Sequence, residues 1–120
     1  MNDLKIDVFM QDKGEKVTFK RDLALHPFDM NDTIAAMELQ QANLRLQEKG
    51  DDGKATTKDI EANIRAIAKF ASKLFLGQFT TQEAMGIDPI ENTKLYTWHS
   101  RAMGMDINKD VDDILGDEKK

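Results

Sequence analysis

Apolar side chains return at Ile60, Ile64, Ile67, Ala71 and Leu74, at spacings of four, three, four and three. Only an α-helix gathers such positions on one side. The rest of the chain must then supply a cover for that stripe. Phe70 and Phe75 widen it, and Ala62, Ala66 and Ala68 keep the helix propensity high. Thr56 with Asp59 three residues on is a capping box. The spacing predicts a helix over 57–76 as the central core element.

The remaining signals build around it. In residues 1–22, Leu4, Ile6, Val8 and Met10 alternate with other residues, Gln11 to Gly14 carry turn chemistry, and Val17 and Phe19 resume the alternation. That pattern predicts a β-hairpin, which is marginal alone and needs a helix or a second copy to pack on. Pro27 keeps His26 out of the helical region, so 23–29 reads as a connector. A first helix is expected over about 31–48, capped by Asp29 or Asn31, with Met30, Ile34, Met37 and Leu44 on one face. A polar loop follows over 48–56.

After the central helix, Gly77 suits a left-handed helix end. Thr80 and Glu83 form a second capping box, with Phe79 placed as a hydrophobic staple toward Ala84, and predict a short helix over about 81–85. Asp88-Pro89-Ile90-Glu91 starts another helix, which carries Ile90, Leu95, Tyr96, Trp98, Ala102 and Met103 and stops at Gly104. Asn108 begins a last short helix bearing Val111, Ile114 and Leu115. The expected fold is mainly α: one domain over 1–120, a bundle of about four to five helices over 30–116, an N-terminal hairpin over 1–22 and a charged tail over 117–120. An α+β description is the alternative.

The chemistry is sparse. With no cysteine there is no disulfide frame, thiolate site or cysteine nucleophile. His26 and His99 stand far apart and outside any metal-ligand spacing. Asp106, Asn108 and Asp110 resemble the start of a calcium loop, but Val111 stands where a glycine is needed and Asp117 where a glutamate is. The two serines, Ser72 and Ser100, lie in no nucleophile motif. The chain is expected to be non-catalytic, without cofactor or metal. Arg65, Lys69 and Lys73 lie four apart on one helix side, a pattern a phosphate backbone would use. A net charge of −5 and Glu61 beside Arg65 favour a solvated face and no nucleic acid. No apolar run approaches the roughly 18 residues of a membrane span, and the N-terminus carries no secretion pattern.

The residues expected to meet a partner are Phe75, Phe79, Tyr96, Trp98, Met103 and Met105. Over 95–105, Leu95, Trp98 and Ala102 follow one side of a helix while Tyr96, His99 and Met103 follow another. A short helix seldom buries two such sides internally, so either it is central to the bundle or one side meets a partner, a second copy included. Phe75 also reads as core, from its place on the long stripe.

The stretch LFLGQFTTQEAMGID resembles the tail assembly chaperones of long-tailed bacteriophages, especially those of Gram-positive hosts. The matching residues are Phe75, Gly77, Gln78, Phe79, Thr80, Glu83, Gly86 and Ile87. Ala84-Met85 stands where the family commonly has a larger aliphatic, and Ile87 where it has leucine. The resemblance implies a non-catalytic assembly factor of the host cytoplasm, absent from the mature virion. It implies a hairpin ahead of the helices and binding to the tape measure protein. A longer form of such proteins recruits tail tube subunits. Two other readings stay open: a small helical DNA-binding regulator, and a structural head–tail connector or completion protein.

Overall fold

A computed structural model describes residues 3–105. It is a small helical protein with an N-terminal β-hairpin: β1 (Asp3–Met10), β2 (Glu15–Asp22), α1 (Met30–Asp51), α2 (Thr57–Leu74), α3 (Thr81–Ala84), a 3-10 turn (Pro89–Glu91) and α4 (Asn92–Ala102). The helix expected from Asn108, the calcium-like stretch and the tail over 117–120 lie outside the described residues.

The hairpin pairs in the register that its alternation predicts, with Leu4 opposite Arg21, Ile6 opposite Phe19 and Val8 opposite Val17. Leu4, Ile6, Val8 and Met10 are buried against the helices, and Val17 and Phe19 pack beside them. Gly14 closes the turn with φ +64°, a left-handed conformation that favours glycine. The outer edge of β1 is met at one place: Val8 bridges to Ile87, and the Phe9 N–H donates to the Gly86 carbonyl at 2.9 Å. A Cβ on Gly86 would run into the Phe9 carbonyl, so the contact requires glycine.

Arg21 is the one charged side chain of the hairpin's buried face, and it holds the elements together. Its guanidinium donates to both Asp32 carboxylate oxygens at 2.7 and 2.9 Å, at the start of α1. It donates to the Leu74 carbonyl at the end of α2 at 2.9 Å. It also donates to the carbonyls of His26 and Pro27 at 2.9 and 2.8 Å, which fixes the connector. The Phe28 ring sits 5.1 Å from its central carbon. All five N–H bonds of the fork are thus used, the condition under which a buried cation is tolerated.

The three long helices end alike. In each, the N–H two residues past the C-cap returns to a carbonyl five residues back: Lys54 to Lys49, Gly77 to Ser72 and Met105 to Ser100. Gly53 and Gly104 supply the left-handed residue of this motif at φ +69° and +88°. α2 differs from expectation here. It stops at Leu74 rather than 76, and Leu76 takes the left-handed position at φ +61°, with Gly77 next at φ +75°. Capping boxes form at Asp29–Asp32, Thr56–Asp59 and Thr80–Glu83. Asp88 and Pro89 start a 3-10 turn, which runs on into α4.

α1 corrects a second expectation. Met30, Ile34, Met37 and Leu44 share a face, but it is exposed, Met30 at 73%. The buried residues are Asp32, Ala35, Ala36 and Leu39. Arg21 dictates this rotation, because Asp32 must face it. Alanines on that side leave room for α4, whose His99 ring nitrogen lies 2.8 Å from the Ala36 carbonyl. On α2 only Ala68, Phe70, Ala71 and Leu74 are buried, so Ile60 and Ile64 lie exposed at its N-terminal end.

Removing Arg21 leaves Asp32 and three carbonyls without their donor. Arg21→Met is expected to cost about 3–5 kcal/mol, read by chemical denaturation. Burial pushes the Asp32 carboxyl up, but the Arg21 hydrogen bond and charge and the Asp29 backbone hold it below the ordinary 3.8. Its folded pKa is depressed, so its contribution is fully present above about pH 4 and is lost as pH falls through the lower folded value. Asp32→Asn should therefore flatten the acid limb of a stability profile.

Candidate functional site

The corner at 75–87 is a core element. Phe75 and Phe79 are 0% and 1% exposed. Phe79 lies 4.9 Å from the Phe19 ring of the hairpin and 5.7 Å from Phe75, which in turn meets Trp98 of α4 edge-on at 5.7 Å. This relay of offset rings couples hairpin, corner and α4. The Ser72 hydroxyl donates to the Phe79 carbonyl at 2.6 Å, and the Gln78 side chain donates to the Lys20 carbonyl at 2.7 Å. Of the residues expected to meet a partner, Phe75 and Phe79 therefore present no side-chain surface. Their burial follows from the Schellman turn of 74–77, which aims both rings inward.

The other four separate. Trp98 is half-buried against Phe75. Tyr96, Met103 and Met105 line an open groove of about 370 Å³ between α1, α2 and α4. Leu39 of α1, Ile67 of α2 and Leu95 of α4 give it an apolar floor. Tyr96, 72% exposed, and Met105, 52% exposed, stand at its rim. Among the described residues the polar lining consists of Gln40, Asn43, Asn92, His99 and Ser100, with no carboxylate or ammonium. The apolar lining and the uncharged donors and acceptors suit an amphipathic helix or an apolar peptide. Met103 and Met105, just past the end of α4, add adaptable surface.

His99 is a structural residue. Its ring packs edge-on against Phe70 with centroids 5.5 Å apart, and its Nε2 donates to the Ala36 carbonyl. His26 is exposed, with its N–H bonded to the Asp22 carbonyl at 2.8 Å. Among the described residues no group of three metal-ligating side chains converges. No described helix is long and apolar enough to cross a membrane.

The basic stripe of α2 is internally paired. Lys73 and Lys69 reach Glu38 of α1 at 2.7 and 3.4 Å, and Arg65 reaches Glu61 at 3.5 Å. Hydrogen bonds from Lys73 and Lys69 hold the exposed Glu38 carboxyl below its ordinary value. A stripe already matched by carboxylates is a poor phosphate site.

Sequence reasoning missed Leu39, Ile67 and Asn43 as groove residues. Ile67 was legible only as a member of the core stripe, and nothing marked Leu39 apart from its neighbours. Comparison with models of known protein families, with curated proteins and with solved structures finds no match to this chain.

Core and rim residues should respond oppositely to truncation. Phe79→Ala is expected to cost about 3–5 kcal/mol of stability. Tyr96→Ala should stay within about 0.5 kcal/mol, both measured by denaturant unfolding.

Proposed function

We propose that this protein is a non-catalytic binding module whose groove between α1, α2 and α4 holds an apolar helical segment. Within that class, we read it as a tail assembly chaperone of a long-tailed bacteriophage. Its client is the tape measure protein, and it serves tail tube assembly without entering the mature virion. The observation that carries the reading is the groove: an apolar floor with a tyrosine and two methionines, on a chain of net charge −5. A tape measure protein exposes long apolar helical stripes before the tube forms around it. A partner for such stripes needs an adaptable apolar cleft and a charged exterior that stays soluble. The particular class rests on the residues of 75–87 that resemble the family. Their role in the fold is to set the corner that brings α4 over α1.

Co-expression is the direct test. The soluble fraction of a tape measure protein should rise with this chain present. It should fall back with the rim double variant Tyr96→Asp/Met105→Asp, which circular dichroism should show still folded. An unchanged soluble fraction with both proteins well expressed overturns the reading. Mass spectrometry of purified particles should find the chain absent.

A further inference from the structure

The arm formed by the end of α1 and the start of α2 has no core of its own. Between Leu39 and Ala68 every residue is exposed or half-buried. Polar contacts clasp the two helices there: Asn63 donates to Asn43 at 2.6 Å, and Lys49 reaches Asp59 at 2.7 Å. The apolar stripe of α2 nevertheless runs out along this arm. Ile60 and Ile64, 49% and 46% exposed, stand seven and three residues ahead of Ile67, which lines the groove. A helix in a protein draws most of its stability from packing such a stripe.

We propose that a second copy of this chain covers the stripe. The two arms lie antiparallel about a two-fold axis as a four-helix bundle, with Ile60 of each copy over Ile64 of the other. Three observations carry this. The first is pattern. An antiparallel copy presents the same two isoleucines in reverse order, so the contact closes on itself, as an isologous interface must. The second is charge. Glu61 and Arg65 follow the two isoleucines by one residue each and flank the stripe on one side, 57% and 50% exposed. The two-fold axis sets that flank against its own copy, so Glu61 of each chain stands across from Arg65 of the other. Within one chain the same two groups are only loosely paired, at 3.5 Å. The third is area. A helix pair of this length presents a face of roughly 18 by 20 Å. Two such faces bury on the order of 1,000 Å², the lower limit of a specific interface. The dimer is therefore reversible, with a Kd on the order of 10–100 µM. Ile60 and Ile64 lie outside the groove lining, so the contact is distinct from the one proposed for a client.

The test is sedimentation equilibrium of the full chain across the range that brackets this affinity. The mass should rise from one copy to two with concentration, and a chain that stays monomeric throughout overturns the proposal. Glu61→Arg and Arg65→Glu are both at exposed positions, so circular dichroism should show each variant folded. Each alone replaces two cross-chain attractions with two repulsions and should weaken the dimer by roughly tenfold. An equimolar mixture of the two variants should associate again as a mixed pair, and the double variant Glu61→Arg/Arg65→Glu should regain the parent affinity. A dimer that Glu61→Arg leaves unchanged overturns the proposal, because the copies then meet elsewhere. So does a mixture that fails to associate, because the two flanks then do not face each other. No tape measure protein takes part, so a chain that dimerises here and fails to solubilise one keeps this proposal and loses the functional one.

Discussion

The fold depends on a buried ion pair. Arg21 and Asp32 are both nearly inaccessible, at 2.7 Å, and a pair so placed must be fully hydrogen-bonded to be tolerated. That requirement organises the surroundings. The guanidinium needs five acceptors, and it takes them from the connector, from the first turn of α1 and from the last carbonyl of α2. A hairpin that is marginal by itself thereby acquires a fixed orientation on two helices. The rotation of α1 about its axis follows as well, because Asp32 must face the hairpin. Asp32 has a double duty: its carboxylate also accepts from the Asp29 N–H at 2.8 Å, closing the capping box.

This rotation settles which face of α1 meets water. Ala35, Ala36 and Leu39 turn inward, while Met30, Ile34 and Met37 turn outward. On hydrophobicity alone the larger side chains would win the core, since burial stabilises roughly in proportion to apolar area. They lose because α4 must come close: Thr33 donates to the Ala102 carbonyl at 2.7 Å and His99 reaches the Ala36 carbonyl. Bulky residues at 35 and 36 would hold the two helices apart. Polar contacts therefore decide an arrangement that area alone would reverse.

The sequence was most legible where the signal is local. The alternation of Leu4, Ile6, Val8 and Met10, the boxes at Thr56 and Thr80, and the stop at Gly104 each depend on a few neighbouring residues, and each is present. It was least legible where two remote elements must agree. Arg21 sits in a strand pattern as one more charged residue, and its partners lie up to 53 positions away. Met30, Ile34, Met37 and Leu44 form a good helical stripe, and no local rule shows that a buried arginine will turn it outward. The groove was half legible. Tyr96, Met103 and Met105 followed from the excess of apolar side chains on α4, whereas Leu39 and Ile67 needed the packing of three helices.

The corner at 75–87 links these two levels. Its local chemistry is ordinary: a helix end, a staple and a restart. Its consequence is not local, because Phe79 touches the hairpin ring of Phe19 while Phe75 touches Trp98. A shift in the turn at Leu76 and Gly77 would move both rings, and with them the angle at which α4 crosses α1. The width of the groove is set by that crossing. The same two phenylalanines, themselves buried, thus help to shape the groove beside them. The pattern of residues 75–87 therefore marks a scaffold, the part of the fold that holds α4 in place beside the groove.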